Sequence, residues 1–361
     1  MATGALKPRV AVMVSAVLNF VGAFISISVA ATIAKGIVNP HVLAGDSGLA
    51  LVLAALIGAM LWNLITWYFT IPSSSSHALI GGVIGATIVA SSAAAINGRS
   101  LIQSVVVPAI LSPLIAGSVA LFGTFCAYRL IRVLGERAAI RGYRLGQIGS
   151  ASVVSLAHGT NDAQKTMGVI SLALIAHGDI STTHFAVPMW VKLACATAMA
   201  VGTAVGGWRI INTMGNRITK VDSPQGFSAE SASAAVILAS SYYGYPLSTT
   251  QVVSGGVLGA GLGKKFATVR WRVIGQMATA WTVTMPAAAA LAGVAWEVAD
   301  VFGPSSNAGS LLIAVLAALA AFGLYKLSRR NNITPEQLDR TGITAEIEAE
   351  RAEIAAAPAP A

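Results

Sequence analysis

Residues 71–86 read IPSSSSHALIGGVIGA, and residues 245–260 read YPLSTTQVVSGGVLGA. The two stretches align without a gap, so that a proline, a run of hydroxyl side chains and several glycines fall at matching positions. Self-similarity of this kind is the signature of an internal duplication. Because proline and clustered glycines interrupt helices, each copy of the duplication is predicted to contain a broken helix.

The composition is that of a membrane protein. A soluble domain is normally about a quarter charged, whereas this chain of 361 residues is 10% charged and 55% hydrophobic. A helix that crosses the bilayer needs about 20 apolar residues. We therefore predict an all-α protein with several membrane-spanning helices. The apolar segments long enough to cross are 10–34, 49–70, 78–96, 104–128, 187–208, 273–295 and 308–325, with one more crossing within 148–177.

The basic residues predict the orientation of the chain. The net charge is +9, and most of the 23 Lys and Arg lie in loops on one side of the predicted spans, among them 129–144, 209–220 and 264–272. Such residues concentrate on the cytoplasmic side of plasma-membrane proteins, so these loops are assigned to the cytoplasm. They form no motif that reads nucleic acid. We therefore exclude nucleic acid as a partner and take the lipid bilayer as the surroundings of the chain.

In this orientation the two copies have opposite topology. The first copy enters residues 71–86 from the exterior side, and the second enters residues 245–260 from the cytoplasmic side. Inverted repeats with helices broken near the membrane midplane are the architecture of secondary transporters. Each break is predicted to be a re-entrant hairpin, because residues 252–263 are short for a full span. Two full crossings would leave the same ends on the same sides and stay an alternative.

The predicted organisation has two transmembrane repeats and three smaller parts. The repeats are residues 1–128 and 148–295, joined by a basic cytoplasmic linker at 129–147. A last transmembrane helix is predicted within 296–330, and the Glu- and Ala-rich residues 331–361 form a cytoplasmic tail.

The stretch SLAHGTNDAQKTMG, residues 155–168, places polar and charged side chains inside a predicted span. A charge at the centre of a span costs about 2.5–3.5 kcal/mol even on insertion scales, so ionisable residues there indicate a functional site. The alternative is that Asp162 and Lys165, one helical turn apart, only neutralise each other. That alternative does not account for the polar residues beside them, His158, Asn161 and Gln164.

These motifs resemble those of a known family. HGTNDAQKTMG (158–168) is similar to the second signature of the inorganic phosphate transporter family, and PLSTTQVVSGGVLG (246–259) resembles its companion hydroxyl motif. The resemblance implies import of phosphate, free or as a metal complex, by symport with Na⁺ or H⁺. We predict no cofactor, no resident metal and no enzyme activity. Carried over by position, the implied substrate-binding residues are Asn161, Asp162, Ser74, Ser75, Ser76, Ser248, Thr249 and Thr250.

The chemistry of these residue types supports the resemblance. The N-termini of broken helices and neighbouring hydroxyls supply the donors that an oxyanion needs. Asp162 would repel phosphate unless a cation or a proton neutralises it, which points to ion coupling. Glu230, near the start of an apolar stretch, is either a first-turn residue favoured by the helix dipole or, by the family pattern, a coupling residue. The predicted ion-coupling residues are Asp162, Glu230, His158, Gln164 and Lys165.

The duplication also predicts a gap in the first copy. Pro8 aligns with Pro188, 180 positions later, and the same offset applied to Asn161 gives a position before Met1. The resemblance implies a first signature there, the mate of HGTNDAQ, so the first repeat is expected to be N-terminally incomplete. A misassigned start codon and a real truncation are both open.

Other functions remain as alternatives. One is a truncated pseudo-transporter or sensor that does not transport, and another is a transporter of a different oxyanion such as sulfate. A hydrolase is not predicted, because Ser76 and His77 are merely adjacent in sequence and no second acid accompanies Asp162. A homodimer is left open.

Overall fold

A computed structural model of the chain describes residues 1–39, 46–134, 136–264, 269–303 and 307–328. Within these ranges the chain is helical, with two isolated bridges, Val38–Ile96 and Thr219–Val269, in place of any strand. Four of the described helices are long and apolar enough to cross a membrane, or five if one bent pair counts as a span. The predicted all-α, multi-pass architecture is confirmed. The predicted tail, 331–361, lies outside the described residues.

The helices fall into two matching series with one long helix between them. The first series is α1 (Pro8–Gly22), α2 (Ser28–Thr32, continued by a π-helical turn at Ile33–Ile37), α3 (Asp46–Tyr68), α4 (Ser75–Ala90), α5 (Gly98–Leu101, continued by a π-helical turn at Ile102–Val106) and α6 (Val107–Leu134). The long helix is α7 (Glu136–His177). The second series is α8 (Met189–Val205), α9 (Trp208–Asn212, continued by a π-helical turn at Thr213–Arg217), α10 (Ser223–Tyr243), α11 (Thr249–Leu262) and α12 (Trp271–Asp300), and α13 (Asn307–Ser328) follows it.

Two of the predicted spans are broken instead of continuous. The segment 10–34 is interrupted between α1 and α2, and the segment 187–208 is interrupted between α8 and α9, where the axis bends by 66°. At the second break Gly206 adopts a φ of +77°, which disfavours any side chain and ends α8. A third segment, 78–96, is helical only to Ala90 before a short 3₁₀ turn. The breaks between α1 and α2 and between α8 and α9 occur at equivalent places in the two copies, which supports the duplication.

The helix pairs α3–α4 and α10–α11 are hairpins, called hairpin 1 and hairpin 2. α4 has 16 residues and α11 has 14, so at 1.5 Å per residue they are about 24 and 21 Å long, shorter than the hydrocarbon core of about 30 Å. The two ends of hairpin 2 meet, because Lys264 Nζ donates to Asp222 Oδ2 at 2.9 Å. The short α4 and α11 and the closed base of hairpin 2 agree with the predicted re-entrant hairpins.

The tips of the hairpins, tip 1 (residues 69–76) and tip 2 (residues 244–250), contact each other. The Ser76 hydroxyl donates to the Leu247 carbonyl at 3.1 Å. The two hairpins therefore end at one place, which is expected for inverted repeats whose broken helices meet near the midplane.

The glycines of the repeated motif explain how the short helices pack. A Cβ on Gly85 of α4 would lie 2.0 Å from the carbonyl oxygen of Ala289 in α12, and one on Gly259 of α11 would lie 1.9 Å from that of Gly117 in α6. Each short helix therefore packs directly against the backbone of the long helix of the other copy, as small residues permit in membrane proteins. This exchange between copies fixes the positions of both tips.

Residues 129–147, predicted as a linker, are helical where the structure describes them. α6 continues to Leu134 and α7 begins at Glu136. With 42 residues, α7 is about 63 Å long, more than the bilayer needs, so its basic first part extends beyond the membrane as a helix.

Candidate functional site

The polar side chains of α7 form a cluster around Asp162. Spacings of three and four residues place Lys165 and His158 on the same face as Asp162. Lys165 Nζ lies 2.5 Å from Asp162 Oδ1, and His158 Nε2 lies 3.0 Å from Oδ2. The Thr249 hydroxyl of tip 2 also donates to Oδ2, at 3.1 Å. The predicted Asp162–Lys165 pair is present, and it is one part of a larger network.

Lys165 joins α7 to both hairpins. Besides Asp162, its ammonium donates to the Ser76 hydroxyl of tip 1 and to the Leu247 carbonyl of tip 2. Three acceptors match the three N–H bonds of an ammonium group. The side chain is 4% exposed, so this cation lies inside the junction, the place where the two tips meet α7.

Both short helices begin at the junction. Ser74 is the N-cap of α4 and accepts from the His77 backbone N–H at 3.2 Å, and Ser248 is the N-cap of α11 and accepts from that of Gln251 at 3.4 Å. The positive ends of two helix dipoles therefore point at the same place. Ser74 and Ser248, predicted as substrate-binding residues, are buried and use their hydroxyl oxygens as caps.

Two of the predicted hydroxyls face open space. Ser75 of tip 1 and Thr250 of tip 2 line a cavity of about 1120 Å³, together with Asp162 and His158. The other walls come from α3, α7 and α8 and are mostly apolar. The polar groups concentrate where the tips meet α7, so this is where the cavity can bind an ion.

Asn161 and Gln164 hold neighbouring elements against α7. Asn161 is fully buried, and its amide nitrogen donates to the Ser241 hydroxyl at 2.8 Å and the Tyr245 carbonyl at 3.3 Å, which fixes the end of α10 and the start of tip 2. Gln164 Oε1 accepts from the Val29 backbone N–H at 2.9 Å and so caps α2. These side chains position the junction from outside the cavity.

The structure does not bring Glu230 to the junction. Its carboxylate accepts from the Ser150 hydroxyl at 2.6 Å and from Gln147 Nε2 at 3.5 Å. Glu230 precedes Ser240 on α10 by a distance of about 15 Å, at 1.5 Å per residue. Because Ser240 is the residue beside Asn161, Glu230 lies well away from the junction. The ion-coupling role of Glu230 stays a prediction.

Asn19 is a site residue that the sequence reasoning missed. Its Oδ1 lies 3.2 Å from His158 Nδ1, and its amide nitrogen donates to the Thr203 hydroxyl at 2.9 Å. The sequence signal for Asn19 is its amide in the middle of the apolar segment 10–34, because a polar group inside a span needs a polar partner.

The junction has the chemistry of an anion site. Two helix N-termini and the hydroxyls of Ser75 and Thr250 offer donors, and Lys165 compensates the charge of Asp162. Over the described ranges, no group of three or more His, Cys, Asp or Glu side chains could hold a metal ion.

The sequence is similar to known proteins over most of its length. A family model described as "Phosphate transporter family" matches residues 1–141 and 131–292. A Mycobacterium bovis protein named "Probable low-affinity inorganic phosphate transporter" is 50% identical over 347 residues, which cover 96% of this chain and 81% of that protein. A Bacillus subtilis protein of the same name is 42% identical over 298 residues, 81% of this chain and 87% of that protein.

A solved structure has the same fold. "The sodium-dependent phosphate transporter" matches with a TM-score of 0.72 at 22% identity and covers 82% of this chain and 91% of its own. This likeness concerns the arrangement of the helices.

Proposed function

Because the chain belongs to the phosphate transporter family, we propose that it carries inorganic phosphate across the plasma membrane and binds it at the junction. One observation carries the proposal: α4 and α11 both begin there, with Ser75 and Thr250 turned to the cavity. Backbone N–H groups at a helix N-terminus and adjacent hydroxyls are ready donors for an oxyanion. Phosphate would thus be bound by groups from both copies of the repeat.

The charges around Asp162 suit an anionic substrate when His158 is protonated. Its Nε2 faces the Asp162 carboxylate, and its Nδ1 faces the side-chain oxygen of Asn19. Two oxygen acceptors around one ring fit the imidazolium form, in which both nitrogens donate. His158 and Lys165 then contribute two cations against one anion, and the net positive charge favours phosphate.

We propose the proton as the coupling ion, carried by His158. The side chain is 35% exposed and lines the cavity, so a proton can reach it from water. When His158 loses the proton, Asp162 and Lys165 remain as a neutral pair and the attraction for phosphate falls. Binding of the proton and binding of phosphate therefore favour each other.

The same geometry supports free phosphate over a metal–phosphate complex. A divalent metal would need free carboxylate oxygens. Both oxygens of Asp162 already accept hydrogen bonds, from Lys165 on one side and from His158 and Thr249 on the other. Phosphate uptake is then expected to be the same with Mg²⁺ and with a chelator.

Uptake of labelled phosphate into proteoliposomes tests the proposal. An inward proton gradient should drive uptake by the wild type, and an inward Na⁺ gradient at constant pH should not. His158→Gln should lose the stimulation by the proton gradient, whereas His184→Gln, on an exposed loop, should keep it. No uptake under either gradient would refute phosphate transport, and uptake driven by Na⁺ alone would refute proton coupling. Competition by sulfate at equal concentration would favour the broader oxyanion substrate.

A further inference from the structure

The ammonium of Lys165 is surrounded by oxygen atoms of three chemical kinds. Asp162 supplies a carboxylate oxygen and Ser76 a hydroxyl oxygen, each 2.5 Å from Nζ, and Leu247 supplies a backbone carbonyl. The three groups come from α7, tip 1 and tip 2. The lysine is 3% exposed, and together with Ser76 and Asp162 it borders a cavity.

This set of oxygens is also a ligand set for a small metal cation. Hard cations take carboxylate, hydroxyl and carbonyl oxygens. In secondary transporters, unwound backbone carbonyls at broken helices coordinate the coupling ion, and Leu247 precedes the N-cap of such a helix. A simple Asp162–Lys165 pair would need only the first of the three contacts.

We propose that these three oxygens form a monovalent-cation site, which the Lys165 ammonium fills while both tips contact α7. The site binds Na⁺ once the side chain is shortened. A cation tethered to α7 cannot leave with the substrate, so it supplies the charge of a coupling ion without being transported. The proposal rests on the proposed function in one respect, since it accounts for the proposed coupling to protons instead of Na⁺.

Two variants open the site. Lys165→Ala removes the ammonium and leaves all three oxygens in place. Lys165→Asn also removes the ammonium, and it adds an amide oxygen that can act as a further ligand. This polar side chain can replace part of the lost hydrogen bonding, so the variant serves as the second test if Lys165→Ala does not fold. Lys192→Ala is the matched control, because Lys192 lies on α8 and makes none of the junction contacts.

The test is binding of radioactive ²²Na⁺ by purified protein, together with Tm in NaCl against choline chloride at equal ionic strength. We expect about one bound Na⁺ per chain in the Lys165 variants, with a saturable rise in Tm of roughly 2 °C at ten times the Kd. The wild type and Lys192→Ala should bind no Na⁺ and show no rise. The double variant Asp162→Asn/Lys165→Ala should also bind none, because the carboxylate is gone.

The outcomes separate this proposal from the proposed function. The cation site would be overturned if the wild type bound one Na⁺ per chain, or if a folded Lys165 variant bound none. Either result would leave proton-driven phosphate uptake by the wild type unaffected. Absence of phosphate uptake by the wild type would refute the transport function, even if the Lys165 variants bind Na⁺.

Discussion

Replacing Asp162 with asparagine is the most informative single change in this protein. The substitution keeps the shape of the side chain and removes its charge. Lys165 is then a buried cation without an anionic partner. If the remaining side-chain oxygen of the new asparagine stays toward Lys165, an amide nitrogen replaces the oxygen that accepted from His158 and Thr249. We expect phosphate uptake to be abolished, because the charge that holds Lys165 and His158 in place is lost.

The loss of stability follows from the burial of the pair. Removing one partner of a buried ion pair costs about 3–5 kcal/mol, since the remaining charge is uncompensated. Asparagine retains an oxygen that can accept from Lys165, so we expect the lower end, about 3 kcal/mol. For a chain of this length, with an unfolding entropy of about 2.1 cal/mol/K per residue, that corresponds to a fall in Tm of roughly 4 °C. A stability of about 5–15 kcal/mol for a folded protein leaves the variant folded.

Thermal unfolding in detergent and phosphate uptake in proteoliposomes measure the two effects separately. The double variant Asp162→Asn/Lys165→Gln has no buried uncompensated charge and should regain most of the lost Tm, while uptake stays absent. Wild-type uptake by Asp162→Asn would refute the role of the carboxylate. If the double variant were no more stable than the single one, the argument from the buried lysine would be wrong.

Three further changes test other parts of the structure. Gly259→Ala should lower Tm by several degrees or prevent folding, because its Cβ would collide with backbone on α6, whereas Gly275→Ala, with nothing within 4 Å, should leave the unfolding curve unchanged. Ser75→Ala combined with Thr250→Ala should raise the KM for phosphate by about tenfold with little change in Tm, because each lost hydrogen bond is worth about 0.5–1.5 kcal/mol. An unchanged KM in uptake assays would place the substrate elsewhere. Ser248→Ala removes an N-cap and should lower the free energy of unfolding by about 1 kcal/mol, and a neutral result in denaturant titration would contradict that role.

The sequence predicted the hairpins because their cause is local. Proline, hydroxyls and glycines in 71–86 and 245–260 leave little choice of backbone structure, and the duplication makes the signal visible twice. The break between α1 and α2 has no such signal. It depends on Gln164, which is far away in sequence and supplies the hydrogen bonds that the start of α2 needs. A break stabilised by a distant side chain is not visible in the segment that contains it.

The residue types of the site were predicted, and their individual roles were not. Ser76 and Thr250 occupy equivalent positions in the two motifs, yet Ser76 is buried against Lys165 and Thr250 lines the cavity. The two tips are related by pseudo-symmetry, and α7 contacts both of them from one side. It therefore meets a different face of each tip. Which hydroxyl faces the substrate is therefore decided by tertiary packing.

The contacts of Lys165 also bear on how the two sides of the membrane alternate. Alternating access requires one part of the repeat pair to move against another around a fixed site. The short helices pack backbone to backbone against α6 and α12, which holds each hairpin rigidly to the other copy. At the tips, Ser76 and Leu247 contribute neutral groups to the ammonium, and a hydrogen bond to a charged group is worth about 1.5–3 kcal/mol. Breaking one of these at a time costs less than separating Asp162 from Lys165, which costs about 3–5 kcal/mol. The charges should therefore stay together on α7 while the tips part from them in turn.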